Sequence, residues 1–196
     1  MPSFSIIIPT CGRSTITATL ASLSRQVQEG DEVIVVGDGD QPTAAKAFCG
    51  SGLPGWYLWT RHASNDWGSS QRNYGMERAR GDYLLFIDDD DVFLPGALSA
   101  FCAVLIKQPD HIPVFRMQTP DGRLIWDKTT LTVGNVGTAI FAVPNQRQQL
   151  PSWGTRYEAD FDFLEACSKL WPIDWHEEIV CWIRPHEIIP KKMVVS

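Results

Sequence analysis

The chain has 196 residues, 44% hydrophobic and 20% charged, proportions of a soluble globular protein and far from the disordered or fibrous extremes. A formal net charge of −6 is the wrong sign for a nucleic-acid-binding face. Five cysteines, odd in number, widely spaced and without a CxxC pair, argue against a disulfide framework or zinc knuckle. Reduced thiols in a cytoplasmic protein are the expectation. MPSFSIIIP has no basic region followed by a long apolar run, as a signal peptide would. No window approaches the roughly 18–20 apolar residues that a transmembrane segment requires.

In chain order, Phe4 to Ile8 is a short β-branched apolar run closed by Pro9 and predicts a buried strand. Ile16, Leu20, Leu23 and Val27 then recur at helical spacing, with Ser14 in position to cap the N-terminus. Glu32 to Val36 predicts a second strand, ending in the turn Gly37-Asp38-Gly39-Asp40. A short helix around Thr43 to Phe48, a strand from Trp56 to Trp59 and a helix from Ser69 to Arg80 follow. Tyr83 to Ile87, the most hydrophobic segment, predicts a central strand that runs straight into Asp88-Asp89-Asp90-Asp91, with a helix from Pro95 to Lys107 behind it. Alternation of strand and helix predicts parallel pairing with right-handed crossovers.

Beyond Pro109 the pattern is less regular. Short strands are expected near Val114 to Gln118, Leu124 to Trp126 and Thr138 to Val143, a helix over Asp160 to Leu170, and a last strand over Ile179 to Ile183. The fold class expected is α/β, with a mostly parallel central sheet flanked by helices. Residues 1–196 read as one domain, with a nucleotide-binding half to about residue 108 and an acceptor half from about residue 109.

In open α/β sheets, ligands bind beyond the carboxyl ends of the strands. Thr10 to Arg13, Asp38 to Asp40, and Asp88 to Asp91 all sit at such ends, and parallel strands would bring them to one edge. An acidic run alone reads as a solvated loop. This one is pinned after a buried strand, where adjacent carboxylates repel and a divalent cation resolves the conflict. Hard oxygen ligands suit Mg²⁺ or Mn²⁺. Residues i and i+2 of an extended segment share a face, which pairs Asp88 with Asp90 and turns Asp89 and Asp91 elsewhere. Asp38 reads either as part of an Asp-Gly turn or as an acceptor for a base or ribose.

SIIIPTCGR, DEVIVVGDGD and SSQRNYGMERARGDYLLFIDDDD together resemble the three successive blocks of family 2 glycosyltransferases of the GT-A fold. The resemblance covers about residues 4 to 100. It implies a nucleotide-sugar donor held by Pro9, Thr10, Arg13, Asp38, Arg72, Asn73, Asp88 and Asp89, with metal at Asp88 and Asp90. Arg13 and Arg72 are candidates to meet the diphosphate, and each also reads as a structural or surface arginine. A uridine diphosphate sugar is the first choice of donor, and a saccharide or other hydroxyl compound is the acceptor.

RYEADFDFLEAC resembles the helix start that carries the family's catalytic base, which assigns that role to Asp160, with Glu158 and Asp162 as alternatives. The stretch also reads simply as an acidic first turn favoured by the helix dipole. IVCWIRPHE resembles the final strand that ends in a metal-ligating His, here His186. The match departs from the family pattern at Ala159, which replaces a Glu, at Gly37, and at Gly12. The Gln-x-x-Arg-Trp motif of processive synthases is absent from the sequence, so transfer of single sugars is expected, and one base opposite the leaving group implies inversion. Trp126, Trp153, Trp171, Trp175 and Trp182 read as core for the most part, with acceptor stacking as the alternative. A sugar-nucleotide pyrophosphorylase and a non-catalytic nucleotide-sugar-binding domain are the rival readings.

Overall fold

A computed structural model describes residues 1–185. Its first sheet has five strands in the order β3-β2-β1-β4-β8. Strands β1 (Phe4–Thr10), β2 (Glu32–Gly37), β3 (Gly55–Trp59) and β4 (Tyr83–Phe86) are mutually parallel, and β8 (Ala142–Pro144) closes one side antiparallel to β4. The middle strand is therefore β1, every residue of which is buried. Tyr83 to Phe86, expected to be central, lies between β1 and the antiparallel β8. Near-continuous apolar runs such as IIIP and VIVV are what a parallel strand needs when both its faces are covered.

Helices α1 (Ile16–Leu23), α2 (Pro42–Ser51) and α3 (Ser69–Met76) make the crossovers, and α4 (Ala97–Lys107) follows β5 (Val92–Phe93). Two of the predicted helices end about a turn early in the structure. α1 stops at Leu23, with Val27 turning back to donate its amide to the Leu23 carbonyl, and its N-terminus is Thr15 without a side-chain cap, not Ser14. α3 stops at Met76, because the amides of Arg78 and Ala79 both bond the Gly75 carbonyl in a closing turn.

Gly81 then passes so close to β1 that an added Cβ would lie 2.6 Å from the backbone of Phe4 and Ser5. Its amide bonds Ser5 Oγ at 2.8 Å, and Asp82 holds the amide and hydroxyl of Ser3 at 3.0 and 2.8 Å. The Gly-Asp-Tyr stretch thus sets β4 in register at the edge of the sheet opposite the acidic run.

The second half builds a smaller sheet, β5-β9-β6-β7, from β5, β6 (Ile112–Gln118), β7 (Leu124–Ile125) and β9 (Ile173–Trp182). Strand β9 starts six residues earlier than expected. Asp174, His176, Glu177 and Glu178 hide it from a hydrophobicity count, while parallel pairing with β6, bulged around Arg116, holds it in place. Thr138 to Val143 divides into a 3₁₀ turn, Thr138–Ile140, followed by β8. Helix α5 (Ala159–Ser168) packs Phe163 against Phe86, Phe141 and Trp153. One cluster of buried side chains runs through both sheets. Among the described residues, no helix is long and apolar enough to cross a membrane.

Candidate active site

The parallel strands bring Thr10, Asp38 and Asp88 to one sheet edge, at the carboxyl ends of β1, β2 and β4. Beyond β4 the chain does not stay extended. The Asp91 amide bonds the Asp88 carbonyl at 3.2 Å, closing a turn across Asp89 and Asp90. That turn sorts the four carboxylates. Oxygens of Asp88, Asp90 and Asp91 gather within 4.8 Å of one another. Asp89 points the other way, into β1 and the loop after it. Asp91, which alternation turned away, joins the cluster because a turn places residues i and i+3 side by side.

Asp89 accepts from Thr10 Oγ1 at 2.6 Å and from Arg13 Nη1 at 2.9 Å, and the same Nη1 reaches Asp90 at 3.0 Å. Thr10 Oγ1 also accepts the Gly12 amide at 3.0 Å, which shapes the loop at Gly12, where φ is +88°. Burial pushes the Asp89 carboxyl above its usual range, opposed by Thr10 and Arg13. Asp91 is raised well above that range by burial and then by the charge of Asp88. It accepts the Arg184 amide at 3.0 Å, while Thr19 Oγ1 holds its carbonyl at 2.7 Å. Arg184 Nε lies 3.8 Å from Asp90.

Arg72, at 4% exposure, pairs with Asp88, donates to the Trp67 carbonyl at 2.8 Å and lies 4.7 Å over the Trp153 ring. Four carboxylates are thus partly balanced by Arg13, Arg72 and Arg184. Three hard oxygen donors, one deeply buried and repelled by its neighbour, suit a divalent cation such as Mn²⁺ or Mg²⁺.

The remaining first-half candidates have defined places. Asp38 accepts from the amides of Ser64 and Asn65 at 2.7 and 3.4 Å and from Gln71 Nε2 at 2.7 Å, pinning the loop after β3 to the end of β2. Pro9 packs against Gly68 at the start of α3, where an added Cβ would come within 2.8 Å of it. Asn73 turns inward: Nδ2 donates to the Trp153 carbonyl at 3.0 Å, and Oδ1 accepts the Trp153 amide at 2.8 Å.

A family model described as "Glycosyl transferase family 2" matches residues 5–161. The chain belongs to this family. An uncharacterized glycosyltransferase of Haemophilus influenzae is 33% identical over 107 residues, covering 54% of this chain and 35% of its own. One of Rickettsia bellii is 33% identical over 97 residues, covering 48% and 14%. The chain therefore spans about a third or less of the curated relatives that it matches. Among solved structures, S. aureus TarS superposes with a TM-score of 0.76 at 19% identity, over 92% of this chain and 36% of that one. The mannosyltransferase PcManGT of Pyrobaculum calidifontis, in complex with GDP-Man and Mn²⁺, gives 0.73 at 16% identity over 98% and 58%. The fold is the family's GT-A fold.

The family match ends inside α5, where Asp160 lies. Burial raises the Asp160 carboxyl above its usual range; the Phe161 amide, bonded to Oδ1 at 2.8 Å, and the charge of Arg72 oppose this, and Asp88 adds to it. The second half thus sets one carboxylate within range of the charges of Arg72 and Asp88. Glu158 and Asp162 are engaged elsewhere, both with Arg156, at 3.6 and 3.4 Å. Ala159, in place of the family's Glu, is buried. His186 lies outside the described residues.

Two residues that sequence reasoning did not single out, Thr19 and Arg184, touch Asp91, and Trp153, read from the sequence as core or acceptor stacking, lies beneath Arg72. The only available signal was for Arg184, which directly precedes Pro185 at the end of the last strand. Of the second-half tryptophans, Trp126, Trp153 and Trp171 are buried, and Trp182 is 41% exposed.

Proposed function

We propose that the protein transfers a single sugar, with inversion, from a nucleoside diphosphate sugar to an acceptor hydroxyl, aided by Mn²⁺ or Mg²⁺. The observation that supports this reading is the gathering of Asp88, Asp90 and Asp91, with Asp160, on a helix of the other half, within range of the charges of Arg72 and Asp88. Asp88, Asp90 and Asp91 would hold the ion, which supplies a Lewis acid for the charge on the departing diphosphate. TarS has been crystallised with UDP and with UDP-GlcNAc, and PcManGT with GDP-Man and Mn²⁺, which supports a nucleotide-sugar donor. A uridine diphosphate sugar remains the first choice.

The chain's own groups then have distinct tasks. Arg13, half-exposed and already bridging Asp89 and Asp90, is placed to bind the diphosphate. Arg72 holds Asp88 and, through its charge, favours the ionised form of Asp160. Asp160 takes the proton of the acceptor hydroxyl as its oxygen attacks the anomeric carbon and the bond to the diphosphate breaks. A single displacement of this kind inverts the anomeric centre.

Calorimetry with UDP, with and without Mn²⁺, tests the donor and metal together. Mn²⁺ should tighten UDP binding at least tenfold in the wild type and not in Asp90→Asn. Equal affinities in all four titrations would defeat the metal assignment. A nucleotide-sugar-binding subunit without turnover is the second reading, favoured by the buried Ala159 at the family's acidic position. It predicts UDP binding without donor hydrolysis or transfer.

A further inference from the structure

Two large aromatic side chains stand beside this site and take little part in the core. Trp67 is 66% exposed and Tyr157 is 69% exposed, yet their rings meet edge to face with centroids 5.1 Å apart. They come from opposite halves of the chain. Each is tied to the chemistry through its backbone: the Trp67 carbonyl is held by Arg72, the partner of Asp88, and Tyr157 precedes by three residues the Asp160 of α5. Trp67 also has φ +59°, in the left-handed region that a bulky residue avoids. Strain at an exposed tryptophan that gains little from burial is characteristic of a ligand-facing position.

We propose that Trp67 and Tyr157 form the platform on which the acceptor lies, and that this acceptor is a saccharide offering the face of a pyranose ring. The inference rests on the transferase reading given above. One face of a pyranose presents C–H groups made slightly positive by neighbouring oxygens, and an aromatic ring presents a negative face to them. Trp and Tyr supply this contact at low entropic cost, having two side-chain torsions each. The edge-to-face arrangement, at 80° between the rings, leaves an exposed corner at which a sugar ring can lie with its outer hydroxyls in water. The pair's neighbours in sequence include the exposed Ser64 and Arg156 and the half-buried Glu158. An acyl chain would need a longer apolar groove.

The test uses methyl pyranosides of glucose, galactose, mannose and N-acetylglucosamine, with cellobiose, maltose and lactose, at tens of millimolar. Each is added to the protein with UDP and Mn²⁺, and saturation-transfer NMR records which sugar protons contact protein. At least one probe should show saturation concentrated on the C–H protons of one ring face. Trp67→Ala should weaken that binding at least tenfold and Tyr157→Ala several-fold, whereas Trp67→Phe should retain most of it. Thermal melts of all three variants confirm folding.

UDP affinity, measured on the same samples, reports the donor site separately. A wild type that binds a probe on the platform but not UDP keeps the platform and loses the transferase reading. UDP binding with no response from any probe, or probe binding unchanged in both alanine variants, overturns the platform. So does a wild-type dimer that Trp67→Ala dissolves, since the pair would then be an interface between copies.

Discussion

Replacing Asn73 by alanine separates two roles that the sequence could not. The family resemblance places Asn73 with Arg72 among the nucleotide contacts, but the structure turns its amide onto the backbone of Trp153, 80 residues away. The two hydrogen bonds, at 3.0 and 2.8 Å, contribute about 0.5–1.5 kcal/mol each. Trp153 is only 3% exposed, so its freed amide cannot readily turn to water, which costs about a further 1–3 kcal/mol. Alanine gives back roughly 0.5 kcal/mol through its better helix propensity within α3. The net loss expected is about 1.5–5.5 kcal/mol.

Urea unfolding followed by circular dichroism measures this loss as a lower midpoint at unchanged slope. UDP affinity should fall only modestly, through the loosened support that the Trp153 ring gives Arg72. A loss below about 0.5 kcal/mol together with a large fall in UDP affinity would refute the clamp and return Asn73 to the ligand.

Four further outcomes follow from the geometry. Asp160→Asn should leave UDP binding intact and remove sugar transfer; near-normal turnover would move the base elsewhere. Because Asp160 must be ionised to act and its pKa is raised, wild-type turnover should fall as pH drops, with the limb above the ordinary aspartate value of about 3.9, as a kcat profile would show. Gly81→Ala sets a Cβ against the backbone of Phe4 and Ser5 and should cost about 1–3 kcal/mol in urea unfolding. In native protein, Ellman's reagent should modify the exposed Cys11 and Cys49. Cys167, buried and pushed up to about 12, and Cys181, raised well above its usual range, should react only on unfolding.

Much of the first half was legible because parallel strands buried on both faces leave a strong local mark. IIIP, VIVV and YLLF are near-continuous apolar runs, and each ends at a polar cluster, so a shared edge followed from chain direction alone. The second half was less legible because its pairing is non-local. β9 carries four ionisable residues in its first six positions and is a strand only because β6 lies alongside it. Segment lengths also misled where a turn replaced the last turn of a helix, as after Met76 and Leu23.

The sequence by itself determined that four aspartates follow a buried strand, and that Thr10, Asp38 and Asp88 face one edge. It also carried the family. Only the tertiary structure decided how those aspartates divide. Alternation assumes an extended chain, whereas the bond from the Asp91 amide to the Asp88 carbonyl folds the segment back. That turn commits Asp89 to Thr10 and Arg13, and brings Asp91 to Asp88 and Asp90. The approach of Asp160 to the Arg72–Asp88 pair is likewise a product of packing, because Phe163 on α5 is seated against Phe86 and Trp153. Contacts made across half the chain leave no trace in local spacing.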